Sequence, residues 1–290
     1  DLDLLTNRLA RAYKLKGVKK DALVTVALPN SIEFFAACIA LWKLGATPQP
    51  VSYRLPKKEL HEIVELAEAP LAIGVDQSLL PNHKVIPMGF RVDAELSDAP
   101  LPDVVAQYWK APTSGGSTGR PKLIVSGEPA TCDITIESGL RQRNKGTVLI
   151  PGPLYHNGPF SAAIHGFLRG NHIIVMPKFD AEKTLQLIEE YRVDWVVMVP
   201  TMMQRIWRLP RATRENYDLS SLQTLWHMAA PCADWLKRAW IDWLGGDIIC
   251  ELYGGAEGHG ATWITGAEWL VHPGSVGRMQ PGCQLKIVNE

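Results

Sequence analysis

The residues best suited to chemistry lie in a short segment of glycines and hydroxyl side chains that ends in a lysine. Residues 113–122 have the sequence Thr-Ser-Gly-Gly-Ser-Thr-Gly-Arg-Pro-Lys. Glycines let the backbone adopt positive φ and approach a ligand closely, and successive free N–H groups form an anion-binding concavity. Lys122 adds a positive point charge. The composition predicts a phosphate-binding loop, and the alternative is a solvated turn.

The spacing in this loop differs from two common nucleotide-binding motifs. A Walker loop requires Gly-x-x-x-x-Gly-Lys-[Ser/Thr] at the start of a helix. Here Pro121 separates Arg120 from Lys122, and the apolar residues 123–125 predict a strand. The dinucleotide pattern Gly-x-Gly-x-x-Gly is also absent from the segment. The loop therefore belongs to neither class.

Two further segments place aromatic, acidic and small residues after predicted strands. Residues 153–160 contain Tyr-His-Asn-Gly, and residues 251–258 have the sequence Glu-Leu-Tyr-Gly-Gly-Ala-Glu-Gly. Tyr253 offers a flat face for a ring, and Glu257 offers the oxygen ligand that Mg²⁺ prefers. Taken alone, the same residues equally suit a histidine near a helix cap, a core tyrosine and a solvated loop carboxylate.

The elements that must position these segments alternate between strand and helix signals. Apolar runs and turn residues predict strands at 23–28, 46–51, 71–75, 122–125, 147–150, 172–176, 195–199, 224–228 and 247–252. Helical spacing is found from residue 2, after a predicted cap at Asn30, and over 56–67, 129–140, 159–168, 181–191 and 233–244. Such alternation predicts an α/β fold with mostly parallel sheets, where ligands bind beyond the carboxyl ends of strands.

Composition excludes several function classes. Lysine and arginine number 30, as do aspartate and glutamate, so no charge excess favours nucleic acid or an anionic membrane. The longest apolar run, residues 34–42, is shorter than the ~20 residues that span a bilayer. The five cysteines form no Cys-x-x-Cys pair, which favours free thiols in a reducing cytoplasm over a zinc or redox motif.

Together the three motifs resemble those of the adenylate-forming enzymes, which include acyl-CoA synthetases, aryl-CoA ligases and adenylation domains. Residues 113–122 fit that family's phosphate loop throughout, and Tyr253 to Glu257 resemble its Tyr-Gly-x-Thr-Glu motif. The resemblance implies the large N-terminal domain of such an enzyme, with two layered α/β subdomains at roughly 1–145 and 146–290. It also implies that both ends are incomplete and that a small C-terminal domain lies outside the chain.

The resemblance assigns roles residue by residue. It implies catalytic roles for Glu257, His156 and Lys122, with Glu257 as the Mg²⁺ ligand. The implied nucleotide-binding residues are Thr113, Ser114, Gly115, Gly116, Ser117, Thr118, Gly119, Lys122, Ala229, Ala230, Glu251, Leu252, Tyr253, Gly254 and Ala256. The implied substrate-binding residues are His156, Asn157, Gly158, His227, Met228 and Gly255.

One residue departs from the family pattern. Ala256 stands where the family has a threonine whose hydroxyl donates to the α-phosphate. Loss of a hydrogen bond to a charged group costs roughly 1.5–3 kcal/mol, which is about a ten- to hundredfold loss in rate. Either the substitution is tolerated, or adenylation is impaired and the enzyme uses a preformed acyl-adenylate for thioester formation alone. A binding protein on a degenerate enzyme fold is a further alternative.

The sequence thus predicts an ATP-dependent acid–thiol ligase that uses ATP or acyl-AMP, Mg²⁺ and coenzyme A. The motif sequences resemble those of bacterial ligases for bulky lipids. This similarity favours an apolar acid of the fatty, steroid, bile-acid or terpenoid type. An enzyme that loads a carrier protein stays open as an alternative. Nucleic acid and a membrane span are not expected, a homodimer is an open arrangement, and the expected location is cytoplasmic.

Overall fold

A computed structural model describes residues 1–114, 121–286 and 288, with the Ser114 side chain left out. The chain forms two compact units. The first comprises residues 1–132 and 154–157, and the second comprises residues 133–153 and 158–290. Within the described residues, no helix is both long and apolar enough to cross a membrane.

The first unit is built around a short parallel sheet. Its elements are α1 (Leu2–Leu15), β1 (Leu23–Val26), α2 (Ile32–Trp42), β2 (Thr47–Pro50), α3 (Lys57–Leu66), β3 (Ala72–Ile73), β4 (Val85–Ile86), β5 (Thr113–Ser114) and β6 (Lys122–Leu123). The sheet has the order β2-β1-β3-β4 with all pairs parallel, while β5 and β6 form an antiparallel hairpin. The apolar face of α3 packs into a core with Ala72, Val75 and Leu80.

The second unit carries a larger sheet. Its elements are β7 (Thr147–Ile150), α4 (Asn157–Leu168), β8 (His172–Val175), α5 (Ala181–Glu190), β9 (Trp195–Met198), α6 (Pro200–Trp207), α7 (Arg211–Arg214), β10 (Thr224–Met228), α8 (Asp234–Leu244), β11 (Ile249–Gly254), β12 (Ala261–Thr265), α9 (Gly266–Val271) and β13 (Arg278–Met279). The strand order is β13-β12-β11-β10-β9-β7-β8. Among the described strands of this sheet, the pairs β11–β12 and β12–β13 are antiparallel and the other pairs are parallel. The predicted α/β class with mostly parallel sheets is confirmed.

Local signals at the ends of α2 were predicted in part. The N-cap is Ser31 rather than Asn30, since the Ser31 hydroxyl accepts from the Phe34 N–H at 3.2 Å. Asn30 instead accepts from the Leu154 N–H at 2.8 Å. At the other end of the helix, Gly45 adopts a left-handed conformation, at φ +69°. The N–H of Gly45 bonds to the Trp42 carbonyl, and the helix end is closed in a Schellman arrangement.

The helix predicted over 129–140 is wrong, because those residues form turns. Asp133 accepts from both the N–H and the hydroxyl of Thr135, at 2.9 and 2.6 Å. Such side-chain bonds compete with the helical hydrogen-bond pattern. The Leu140 carbonyl is occupied as well, since the indole N–H groups of Trp195 and Trp226 both donate to it at 2.7 Å. Strand β12 and helix α9 were not predicted.

Candidate functional site

The second unit brings the carboxyl ends of three parallel strands side by side. In the ladder His227 pairs with Glu251 and with Met198, so β9, β10 and β11 end at the same edge of the sheet. The alanine pair singled out in the sequence follows β10, and the Tyr-Gly-Gly-Ala-Glu segment begins in the last two residues of β11. Two of the predicted segments, separated by more than twenty residues in sequence, therefore meet at one edge.

The turn after β10 has an unusual backbone. Ala229 adopts φ +70°, a left-handed conformation that costs a non-glycine residue of order 1–3 kcal/mol and is concentrated at functional sites. Both Ala229 and Ala230 are exposed. The strained turn therefore directs two methyl side chains, instead of bulky groups, to the edge where ligands bind in α/β sheets.

The end of β11 presents a flat aromatic ring. Tyr253 is a strand residue that pairs with Thr262, yet it is 61% exposed. Aromatic side chains are ordinarily buried to a large extent, so the exposed Tyr253 ring is available to stack on a planar ligand. The neighbouring Ala256 is partly buried and contributes a methyl group where a hydroxyl was expected from the family pattern.

Gly255, close to Tyr253 in the chain, leaves a small space that we call the Gly255 cradle and that Glu257 and His259 border. A Cβ on Gly255 would lie 2.7 Å from Glu257 Oε2 and 2.7 Å from His259 Cε1. The carboxylate and the imidazole therefore converge on the space that glycine leaves empty. Both side chains belong to exposed residues. Sequence reasoning missed His259, and its only signal was a histidine two residues after the predicted carboxylate.

A buried polar cluster lies against β10 and β11. The Lys237 ammonium, on α8, forms an ion pair with the Glu251 carboxylate, and the two side chains are 1% and 14% exposed. Lys237 Nζ also lies 4.8 Å from the centre of the Trp269 ring. Lys237 was missed in the sequence because its partner is defined only when α8 packs on the sheet. The structure thus gives Glu251 a salt-bridge partner inside the protein.

His227 completes this buried cluster in an unusual state. It is fully buried, and neither ring nitrogen has a hydrogen-bond partner within the described part of the chain. Burial, and secondarily the charge of Lys237, lowers the pKa of His227 to about 3. The imidazole is therefore neutral at physiological pH and is part of the buried core near the carboxyl end of β10.

Met228 and Gly158, both predicted to contact substrate, come together in the second unit. Gly158 lies in the first turn of α4, and a Cβ there would be only 3.2 Å from Met228 Sδ. A larger residue at position 158 would have to displace the methionine. The contact places a soft, apolar surface next to the end of β10.

The first unit contains the other predicted substrate residues. The rings of Tyr155 and His156 lie 4.6 Å apart, and burial lowers the pKa of His156 below its usual value. Asn157 accepts a hydrogen bond through Oδ1 from Lys110 Nζ. Lys110, which the sequence analysis did not select, is 9% exposed, and burial lowers its pKa to about 8. Its ammonium lies 4.1 Å from the centre of the Trp109 ring.

The predicted phosphate loop connects the two strands of the β5–β6 hairpin. Thr113 pairs with Leu123, and Ser114 with Lys122. The ladder continues through the Ile124 N–H to the Pro112 carbonyl at 2.8 Å and the Ser126 N–H to the Lys110 carbonyl at 3.0 Å. Lys122 is exposed. The five residues Gly115, Gly116, Ser117, Thr118 and Gly119 lie outside the described residues.

The donors around Gly255 fit a hydrated magnesium ion. Mg²⁺ is usually bound by one or two carboxylates plus phosphate and water, rather than by a full set of protein ligands. Glu257 supplies one exposed carboxylate whose oxygen lies over the Gly255 cradle. This donor set suits a cation that arrives with a nucleotide and keeps most of its own shell.

Comparison with known proteins identifies the class. The model of the family described as AMP-binding enzyme matches residues 1–290, so the chain belongs to this family of adenylate-forming enzymes. Its homologues include CoA ligases. The resemblance inferred from the three motifs is confirmed by this match.

Particular relatives differ in the acids they are named for. The chain is 33% identical over 261 residues to 2,3-dihydroxybenzoate-AMP ligase of Bacillus subtilis (strain 168), which covers 78% of this chain and 46% of the relative. It is 28% identical over 233 residues to long-chain-fatty-acid–CoA ligase FadD13 of Mycobacterium tuberculosis, covering 72% and 45%. The chain therefore spans about half the length of these curated relatives.

A solved structure supports the fold. The inhibitor-bound N-terminal domain of FACL13 from Mycobacterium tuberculosis superposes with a TM-score of 0.79 at 22% identity, over 96% of this chain and 74% of that one. The architecture is thus that of the N-terminal domain of an adenylate-forming enzyme, as the motifs implied.

Proposed function

We propose that the protein to which this chain belongs is an acyl-CoA synthetase, which activates a carboxylic acid as acyl-AMP and transfers the acyl group to coenzyme A. The observation that carries the proposal is the edge formed by β10 and β11. There the exposed Tyr253 ring and the left-handed Ala229 turn end adjacent, parallel strands. A flat ring beside small side chains suits the binding of adenine.

The residues of this chain divide the work of the first half-reaction. A carboxylate oxygen of the substrate attacks the α-phosphorus of ATP, the bond to the β-phosphate breaks, and pyrophosphate leaves. Tyr253 would orient the adenine, while the 113–122 loop and the Lys122 ammonium would hold the departing phosphates. Glu257 would bind Mg²⁺, which offsets phosphate charge when present. Positioning and charge stabilisation are the main resources for such phosphoryl chemistry.

The second half-reaction requires only an acyl acceptor. The thiolate of coenzyme A attacks the acyl carbonyl carbon, the bond to the AMP oxygen breaks, and AMP leaves. A carrier-protein thiol is the alternative acceptor. The enzyme with bound acyl-AMP is incubated with coenzyme A and, separately, with a phosphopantetheinylated carrier protein to distinguish the two acceptors. Thioester formation on the carrier alone would contradict the proposal.

The acid is proposed to be apolar, of the fatty, steroid, bile-acid or terpenoid type. The basis is the contact of Gly158 with Met228, which provides a soft surface without a charge. The relatives are named for both fatty and aromatic acids, so a panel must include both. ATP–pyrophosphate exchange is measured with long-chain, sterol-derived and hydroxybenzoic acids. Preference for 2,3-dihydroxybenzoate would contradict the lipid proposal while leaving the ligase class intact.

A second candidate function follows from Ala256. Without a hydroxyl at this position, the adenylation step is proposed to be impaired, and the enzyme would use preformed acyl-AMP for thioester formation. Restoring the hydrogen bond in Ala256→Thr should then raise pyrophosphate release by about ten- to hundredfold, with little change in thioester formation from acyl-AMP. Ala256→Ser serves as a smaller hydroxyl control. Equal and rapid pyrophosphate release from the native and Ala256→Thr proteins would rule this candidate out.

The same proposal includes the cellular location and the oligomeric state of the enzyme. The five cysteines are all free, which is typical of a reducing compartment, and a cytoplasmic location is proposed on that basis. A homodimer remains a proposal that sedimentation at micromolar concentration tests.

A further inference from the structure

A cluster of imidazole and carboxylate groups lies in the first unit, on residues that the ligase proposal does not use. One potential ligand atom from each of His61, Glu65 and His83 lies within 4.8 Å of the others. His61 and Glu65 are four residues apart on α3, so they share a face of the helix. His83 comes from the loop that leads into β4. The three side chains are 49%, 58% and 16% exposed.

The distances are close to those of a metal site. Glu65 Oε1 lies 2.8 Å from His83 Nε2 and 3.9 Å from His61 Nε2. Three ligands of a tetrahedral Zn²⁺ at about 2.0–2.1 Å from the metal lie about 3.3 Å from one another. These two distances bracket the required separation, and the third, between the two histidine nitrogens, is within 4.8 Å. His83 Nδ1 is buried, which leaves Nε2 as the nitrogen that faces the other two ligands.

The two elements that carry the ligands are held together by a shared core. Leu80 is fully buried, and it packs in the same cluster as Leu60 and Ile63 of α3. Because the loop and the helix are fixed by common apolar contacts, the ligands do not depend on a mobile segment to meet.

Hydrogen bonds fix the loop further. The Gln77 side-chain amide donates to the carbonyls of Leu80, Pro81 and His83, at 2.9, 3.3 and 3.0 Å. Lys57, at the start of α3, donates to the Ser78 carbonyl at 3.0 Å. The backbone that presents His83 is thus bonded to its own turn and to the helix that presents the other ligands.

We propose that His61, Glu65 and His83 form a binding site for a divalent transition-metal ion, with Zn²⁺ as the best match. Two imidazoles and one carboxylate suit zinc, nickel or copper, whereas magnesium and calcium prefer oxygen ligands. Three protein ligands leave a fourth position for water. The ion would link α3 to the loop before β4 and stabilise the first unit.

Calorimetric titration of the protein with Zn²⁺ tests the site. One equivalent is expected to bind, and its affinity should be insensitive to excess Mg²⁺. Even partners of metal ligands contribute about 10–100-fold in affinity, so His61→Ala, Glu65→Gln and His83→Ala should each weaken binding at least tenfold. The melting temperature of the native protein should rise with zinc concentration, and that rise should be lost in the same variants.

Matched controls separate this site from adventitious binding. His272→Ala removes an exposed histidine of the second unit, and Cys132→Ser removes an exposed thiol. Both should bind zinc as the native protein does. His61 and Glu65 are about half exposed, so their variants should fold even if His83→Ala does not. The absence of saturable zinc binding would overturn the proposal, as would unchanged affinity in the ligand variants or loss of binding in Cys132→Ser.

Discussion

Each unit of the molecule buries a lysine, and the two are compensated in different ways. Lys237 in the second unit is 1% exposed and forms an ion pair with Glu251. Lys110 in the first unit is 9% exposed, and its ammonium lies against the Trp109 ring and donates to the neutral amide of Asn157. The described partner of Lys237 is a carboxylate with full opposite charge, whereas the amide oxygen and the ring face at Lys110 carry partial charges. The charge of Glu128 also acts on Lys110.

The difference in charge compensation suggests different roles for the two lysines. Glu251 lies two residues before Tyr253 on β11, so the Lys237–Glu251 pair fixes the strand that presents the exposed ring. Lys110 lies three residues before the hairpin that carries the predicted phosphate loop, and burial lowers its pKa to about 8. One buried lysine therefore serves strand geometry, while the other has a proton that can be lost in mildly alkaline solution.

The largest effect is expected from breaking the ion pair. Lys237→Met leaves the Glu251 carboxylate buried without its partner, which should lower the free energy of unfolding by about 3–5 kcal/mol. The double variant Lys237→Met with Glu251→Leu should recover most of this loss, because no uncompensated charge remains. Urea unfolding followed by tryptophan fluorescence measures both.

An exposed lysine provides the control for that experiment. Lys183→Met removes a side chain that is 50% exposed and 3.9 Å from its carboxylate partner, so a change within about 0.5 kcal/mol is expected. A Lys237→Met variant as stable as Lys183→Met would show that the pair does not hold β11.

The second effect is a pH dependence that only Lys110 should produce. Its pKa is lowered from 10.5 to about 8 in the folded protein, so between these values the unfolded state binds the extra proton. Stability from this group therefore rises as the pH rises from about 8 towards 10.5, by at most about 1.4 kcal/mol per pH unit. Below about pH 8 both states carry the charge and the slope vanishes.

Comparison of native protein with Lys110→Met isolates this slope. The charge of Glu128, which opposes the lowering of the Lys110 pKa, is present in both proteins. The difference between the two unfolding free energies is measured at intervals from pH 7.5 to 9.5. A difference that does not change with pH would mean that Lys110 keeps its proton, as a lysine with full charge compensation would.

The strands at the site and the polar cluster under them differ in how far the sequence predicted them. Strands at 147–150 and 224–228 were predicted with their observed bounds, because apolar runs between turn residues define buried strands. The Lys237–Glu251 pair and the contact of Lys110 with Asn157 join residues 14 and 47 positions apart. Such contacts depend on how helices and loops pack, which hydrophobic periodicity does not encode.

Backbone strain was also beyond prediction. The motif placed Ala229 and Ala230 in the nucleotide site by resemblance, but nothing in two alanines indicates φ +70° at the first of them. Alanine rarely adopts this conformation, so only the surrounding structure enforces it. The helix predicted over 129–140 failed for the related reason that side-chain hydrogen bonds to the local backbone outcompeted the helix.

The third effect concerns nucleotide binding by the Tyr253 ring, which lies on the strand that the Lys237–Glu251 ion pair holds. Base–aromatic stacking contributes about 1–3 kcal/mol, so Tyr253→Ala should weaken binding of AMP or a non-hydrolysable acyl-AMP analogue by about 5- to 150-fold. Tyr253→Phe keeps the ring and should bind nearly as the native protein does. Because Tyr253 is 61% exposed, folding should change little. Equal affinity of the alanine and phenylalanine variants would show that the Tyr253 ring does not contribute to nucleotide binding.

The last effect is detected as the absence of a titration, and it concerns the neutral histidine beside the ion pair. His227 pairs with Glu251 and Met198 in the strand ladder, and the charge of Lys237 acts on its ring. Its pKa of about 3 means that it binds no proton over most of the acidic range. The unfolded chain does bind one below its ordinary value of about 6.5. The contribution of His227 to stability is therefore lost as the pH falls from about 6.5 towards 3.

Proton NMR of the His227 ring is the direct measurement. Its carbon-bound proton resonances, assigned by comparison with His227→Gln, should stay constant from pH 7.5 to 5, where a histidine in a short peptide titrates fully. Removing the neighbouring positive charge in Lys237→Met should raise the pKa of His227, since Lys237 contributes to its lowering. Burial is the larger cause, so the pKa should still stay below 6.5. Normal titration of His227 in the native protein would mean that water reaches the cluster, and the contrast with the proton-releasing Lys110 would then disappear.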